Sequence, residues 1–539
     1  MTSMAHLPGV RGPRRRLLRL LLFAGALSGM AFACGPEAPP PLSLDEVSAA
    51  EGVVPALREW APEEGSLRLS DEFRVAVNVR QQTPLLDTAD TFRADLFAIS
   101  GLNLPFTTAA AAREGDIYLT LGAGDAGIGD EGYLLEINNG VTVQANTVAG
   151  VFYGLQTVLQ MLQQDPSRVT LPRGLARDFP IQAIRGLMID AGRKYWEMEY
   201  LERTIRRLAW HKMNYLHLHF TEWSAFRLVS DTYPGLAADD AYTKEDIRRL
   251  QDVARHYHVM IVPEIDLPAH ATAITDFNPD LGFQCDSLRR AQWQGDDANE
   301  ENRAWLLDPT RQEVRDWVRA LLDEFLPLFD GPYFHIGGDE WQYDDAKNAC
   351  PELVAATQAA GYSRPGDLFV EWINEINEQV KSHGKQAQIW NWWRFSPDIQ
   401  RQNFTNVQPS PDILINVWNE PRQEAILAEG YDTILSQGSG EGALYVTPGY
   451  GKELGDYGFF DARFIYEEWE PLDHPQVRGY KMCIWADGEE RRSDEWFDRY
   501  ADWPKAVLAD RLWGGPRAAG FEQFQSRVAR AGPAPAIVW

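Results

Sequence analysis

The sequence predicts an α/β protein: a (β/α)8 barrel preceded by a small α+β domain. Three observations carry that expectation. From about Ile181, eight short apolar runs recur over the rest of the 539-residue chain. Amphipathic stretches with helical spacing fall between most of them. Acids, histidines and tryptophans collect where the runs end, and barrels of this kind keep their chemistry at the C-terminal ends of their strands.

Residues 1–33 read as an export signal and 34–50 as a proline-rich linker. Residues 51–178 form the expected α+β domain, and 179–539 the barrel. Arg11, Arg14, Arg15, Arg16 and Arg19 give a basic start, and Leu20 to Phe32 an apolar run too short to span a bilayer comfortably. The small residues before Cys34 resemble a bacterial lipobox, which would make Cys34 a lipid anchor. An ordinary Ala-x-Ala cleavage near Ala33 is the rival reading, and the paired arginines leave twin-arginine export open. Either way the protein is expected to be exported, as a membrane-anchored lipoprotein of a bacterial envelope or as a periplasmic or secreted protein.

Composition narrows the partners. A formal net charge of −27 argues against nucleic acid, because phosphate binding needs a basic surface. Nineteen tryptophans are many, and flat aromatic faces suit stacking on sugar rings, although most large aromatics serve cores. No Cys/His spacing resembles a metal site, so neither metal nor cofactor is expected. Cys285 and Cys350, in loop-like polar surroundings, are the expected disulfide; Cys483 reads as a buried thiol.

In the α+β domain, strands are expected at Phe73 to Val79, Ile117 to Leu121, Tyr133 to Ile137 and Val141 to Ala145, with Asn138-Asn139-Gly140 as a hairpin turn. A helix is expected over Gly150 to Leu162. The barrel strands are expected at Ala183 to Asp190, Tyr215 to Phe220, Met260 to Ile265, Tyr333 to Gly337, Ala387 to Trp390, Ile413 to Val417, Thr433 to Ser436 and Gly479 to Trp485. Helices are expected over Glu199 to His211, Lys244 to His256, Gln312 to Leu326, Leu368 to Ser382 and Arg422 to Glu429.

The fourth run ends in Gly337-Gly338-Asp339-Glu340. Strand side chains alternate between faces, so adjacent carboxylates do not normally serve one site. Two glycines let the backbone turn and aim both at one ligand. Carboxyl groups in different environments then divide labour, one protonated as an acid and one ionised. The plainer alternative is a strand followed by a solvated acidic turn.

Taken together, these residues resemble the β-N-acetylhexosaminidases of glycoside hydrolase family 20. The matches include Arg185 to Asp190, Lys212-Met213-Asn214 leading to His217-Leu218-His219, Pro263 to His270, and His335 to Glu340. Trp390, Trp418, Trp485, Arg511-Leu512-Trp513 and Gly150 to Thr157 extend the likeness over nearly all of the chain after the linker. The resemblance implies exo-acting, retaining hydrolysis of terminal β-linked N-acetylhexosamine from glycans or chitooligosaccharides, with the substrate's own acetamido oxygen as nucleophile. It implies Glu340 as general acid/base and Asp339 as the charged group stabilising the oxazolinium, with His270 and Glu222 as a relay tuning Glu340. Arg185 and Asp487 would bind sugar hydroxyls, Trp390, Trp418 and Trp485 would wall the pocket, and Tyr445 would donate to the acetamido carbonyl.

Several positions depart from the family pattern. Glu222-Trp223 replaces paired aspartates, Ala269 a glycine and Lys194 a histidine. Thr447 stands where an aspartate is usual, and Asp487 is one methylene shorter than the usual glutamate. These departures keep two alternatives in play: a shifted substrate (a disaccharide or modified sugar), or a sugar-binding lipoprotein without turnover.

Overall fold

Two sheets organise the chain in the computed structural model, which describes residues 52–289, 304–393, 403–418 and 420–535. The expected signal, linker and Cys34 lie outside the described residues. The first sheet contains β1 (Glu59–Arg68), β2 (Arg74–Asn78), β3 (Phe106–Ala109), β4 (Asp116–Leu121), β5 (Tyr133–Ile137), β6 (Val141–Ala145) and β7 (Thr170–Asp178), in the order β1-β7-β5-β6-β4-β2-β3. The expected hairpin joins β5 to β6, with the Asn138 N–H donating to the Gly140 carbonyl at 2.9 Å. The helix Val148–Gln164 packs on this sheet through Val151, Leu155, Val158 and Leu159, all fully buried.

The long outer pair β1 and β7 has no clear sequence signature. β1 reads EWAPEEGSLR, mostly exposed, and its register with β7 shifts between Pro62 and Ser66. Proline, glycine and charge are what an edge strand tolerates, so the usual alternation is missing.

The second sheet is the barrel. Its staves are β8 (Ile184–Asp190), β9 (Tyr215–His219), β10 (Met260–Leu267), β11 (Tyr333–Gly337), β12 (Gln386–Trp390), β13 (Leu414–Val417), β14 (Thr433–Leu435) and, after the two-residue β15 (Tyr445–Val446), β16 (Val477–Ile484). All neighbouring staves run parallel, and β16 pairs with both β14 and β8, which closes the ring. β15 lies beside β16 outside that ring. The crossover helices are amphipathic. Lys244–His256 begins with a Thr243–Asp246 capping box and buries Ile247, Leu250, Val253 and Ala254. Cys285 and Cys350 are joined as a disulfide, and Cys483 is a buried free thiol.

The α+β domain is fastened to the barrel end opposite the C-terminal ends of the staves. Asp178, on β7, accepts from Lys212 Nζ at 2.8 Å and from the Trp513 indole at 2.8 Å, all in the interior. Arg185, near the start of β8, lies 2.7 Å from Glu131 and donates to the carbonyls of Lys212, Gln182 and Ala183. Such buried charges are tolerated because opposite charges and carbonyls surround them.

Candidate active site

The turn after β11 answers how adjacent carboxylates can share a site. Gly337 and Gly338 have φ of 72° and 94°, and a Cβ on Gly337 would fall 1.6 Å from Asp266 Oδ1. Only glycine fits that approach. Asp266 Oδ1 in turn accepts from the Gly338 N–H at 3.2 Å. The strand alternation is broken there, and Asp339 and Glu340 both line one cavity of ≈ 300 Å³. Glu340 itself sits at φ 47°, a conformation side chains with a Cβ seldom adopt.

His270, at the exit of β10, faces the pair. Its Nε2 is 3.4 Å from Glu340 Oε2 and 3.7 Å from Asp339 Oδ1, and its Nδ1 is 2.9 Å from Glu222 Oε1. Burial alone would lower the His270 pKa, but Glu222, Asp266 and Asp339 carry it well above its ordinary value. Glu222 shows the converse: burial opposes its charge, and Arg193 and His270 hold it well below the usual carboxylate range.

Arg193 follows the end of β8 and is clasped by three acids. Its Nη1 is 2.7 Å from Glu222 and 3.0 Å from Asp190, and its Nε is 3.4 Å from Asp487. The guanidinium also stands 5.2 Å over the Trp485 ring. Trp418, Tyr445, Tyr457 and Trp485 complete the aromatic lining, with Tyr450 at the rim, 56% exposed. Burial drives the Tyr445 pKa well above its ordinary value, so its hydroxyl stays a neutral donor.

Beneath the cavity, Glu264 gathers the barrel interior. His219 Nδ1 and His335 Nδ1 lie 2.5 and 2.9 Å from its carboxylate, and the Trp390 indole donates to it at 2.7 Å. His217, Glu264 and His335 are ligand types close enough to hold a metal. Lys481 Nζ lies 2.8 Å from His217 Nδ1, while Nε2 of the same ring lies 3.0 Å from Glu264. Glu264 thus meets three imidazoles and one indole in the barrel interior.

The family models agree with this architecture. The glycosyl hydrolase family 20 catalytic domain matches residues 183–516, and domain 2 of the same family matches residues 50–179. The chain belongs to glycosyl hydrolase family 20. It is 26% identical to the lacto-N-biosidase of Bifidobacterium bifidum over 84% of this chain and 39% of that one. It is 25% identical to the beta-hexosaminidase of Porphyromonas gingivalis over 91% of this chain and 64% of that one. The chain thus spans between 39% and 64% of the length of these two curated relatives. Among solved structures, the Flavobacterium johnsoniae chitobiase superposes with a TM-score of 0.71 at 24% identity, covering 89% of this chain and 72% of that one. The Vibrio harveyi exo beta-N-acetylglucosaminidase in complex with N-acetylglucosamine gives 0.74 at 19%, covering 91% and 78%. These two likenesses concern the fold.

Within this family 20 framework, the residues expected at the site fall into two groups. Asp339, Glu340, His270, Trp418, Tyr445, Trp485 and Asp487 line the cavity, with Glu222 directly behind His270. Arg185 and Trp390 do not. Arg185 is spent on the domain junction at the opposite barrel end, because a residue at the start of a stave cannot reach its C-terminal face. Trp390 points inward beneath the lining, 6.1 Å behind Trp485, where Glu264 takes its N–H. Thr447 also turns away: it is fully buried and packs against Gly458.

Asp339, expected to stay ionised, has its pKa pushed up to about 7 by burial, against the pull of His270 and with the help of the Glu340 charge. The sequence pattern assigned no role to Arg193, Tyr450, Tyr457 or Trp305. The strand-end rule, applied to Arg185 and Arg193 in turn, favours Arg193.

Proposed function

We propose that the protein is an exo-acting, retaining β-N-acetylhexosaminidase that uses the substrate's acetamido group as nucleophile. The observation that carries this reading is the Asp339–Glu340 pair, aimed by the Gly337-Gly338 turn into one tryptophan-walled cavity. Glu340 protonates the leaving oxygen and then activates water, and its proton is managed by His270 and, through it, Glu222. Asp339 holds the acetamido N–H as positive charge grows on the closing oxazolinium. Family membership and relatives named as hexosaminidases support the assignment. The test is release of chromogen from an aryl N-acetyl-β-glucosaminide, with none from the matching β-glucoside, and inhibition by a thiazoline mimic of the oxazolinium. Glu340→Gln should lower kcat by about 10²–10⁴-fold while the inhibitor still binds. Binding without any turnover in the parent protein would instead mark a sugar-binding protein.

A second reading keeps the chemistry and enlarges the sugar. Asp487 ends a methylene short and is drawn to Arg193, and the adjoining rim carries the exposed Tyr450. A disaccharide aryl glycoside compared with the monosaccharide separates the two. The Cys285–Cys350 disulfide suits an oxidising compartment and supports the proposed export, with Cys34 as lipid anchor. Incorporation of labelled fatty acid, lost in Cys34→Ser, tests that placement.

A further inference from the structure

The two groups that handle the proton in the proposed reaction, His270 and Glu340, share an unusual backbone. Both sit at positive φ, 52° and 47°. Each depends on neighbours to stay there, because an isolated non-glycine residue relaxes out of that region. One side chain touches both. The indole N–H of Trp305 donates to the Glu340 carbonyl at 3.0 Å, and its ring lies 4.4 Å from the His270 imidazole. Trp305 is itself 1% exposed.

The segment that carries Trp305 is tied down along its length. The Trp305 carbonyl accepts from the Ala271 N–H at 3.2 Å, directly after His270. The Leu307 N–H donates to the Pro268 carbonyl at 3.0 Å, and the Ala304 N–H to Thr275 Oγ1 at 3.1 Å. These bonds fix a short strap across the exit of β10. The strap presents one indole to the backbone of the acid and to the ring that serves it.

We infer that Trp305 is a positioning residue for the general acid: its indole donor holds Glu340 in the left-handed turn and its ring fixes the imidazole of His270. The inference rests on the reading of Glu340 as general acid/base. Removing the donor leaves the pocket walls intact but lets the Glu340 carboxyl swing away from the leaving oxygen. The loss therefore falls on substrates whose leaving group needs a proton, and spares those whose leaving group departs as a stable anion.

The experiment compares kcat/KM for a 4-methylumbelliferyl and a 2,4-dinitrophenyl N-acetyl-β-glucosaminide, which differ in that need. Trp305→Phe keeps a ring and removes the donor; Trp305→His restores a ring N–H. Thermal melting checks folding in each. The expected result is a fall of about 10-fold or more on the first substrate for Trp305→Phe, less than 3-fold on the second, and partial recovery in Trp305→His. Equal losses on both substrates, no loss on either, or failure of both variants to fold would overturn the proposal. Glu340→Gln, run alongside, separates the two claims. If it shows no selective loss on the umbelliferyl substrate, the acid assignment itself is wrong. If it does and Trp305→Phe does not, only the role of Trp305 falls.

Discussion

Arg185 and Arg193 are the same residue type at the two ends of one stave, and their fates are opposite. Arg185, near the start of β8, is fully buried and bonded to three carbonyls and Glu131 at the domain junction. Arg193, just past the end of β8, stands in the cavity between Asp190, Glu222 and Asp487. Both are charged, enclosed and paired with carboxylates. What separates structure from chemistry here is the end of the strand, not burial or charge.

The sharpest way to break that contrast is to remove each guanidinium. Arg193→Met should lower kcat/KM by about 100- to 1,000-fold, as losing a preorganised charged donor does, with the fold retained by circular dichroism. Arg185→Met should cost about 3–5 kcal/mol of stability by leaving Glu131 and three carbonyls short of a partner, seen in urea unfolding. Its folded fraction should keep near-parental kcat/KM. If Arg185→Met disables catalysis without destabilising the protein, the division between the two ends is wrong.

The pH profile sharpens the pocket side of the comparison. Asp339 keeps its proton up to about 7 in the fold, whereas an unfolded chain gives it up near about 3.9. The native state therefore binds more protons through that window, and this residue's contribution to stability falls as pH rises through it. Activity that needs the carboxylate runs the other way. The acid limb of kcat/KM for the free enzyme is expected near pH 7, and Asp339→Asn should abolish it together with most of the rate.

The smallest effect is expected at the rim. Tyr450→Ala should change KM by a few-fold at most for an aryl monosaccharide, because a half-exposed aromatic contact is worth about 0.5–1.5 kcal/mol. A much larger loss confined to disaccharide glycosides would favour the second substrate reading.

The barrel was legible because its staves are short apolar runs of the right length, punctuated by amphipathic helices. Tyr333–Gly337 and Lys244–His256 have the expected bounds. The carboxylate pair was legible because two glycines before it have a conformational reason to be there. Arg193 was harder to see, since an arginine after a strand gives no sign of which acids will clasp it. Trp305 lay beyond reach: its partners are a backbone carbonyl and an imidazole on two other segments, and no local pattern encodes them. The same holds for β1, whose pairing is set by β7 more than a hundred residues away.

The contact between Gly337 and Asp266 has a consequence for anyone who would move this chemistry elsewhere. The backbone of the turn passes so close to the Asp266 carboxyl that neither accommodates a different neighbour. The four residues from Gly337 to Glu340 are therefore not a portable motif. A host scaffold would have to import a second strand bearing the aspartate, at the same stagger, before the two acids pointed the same way.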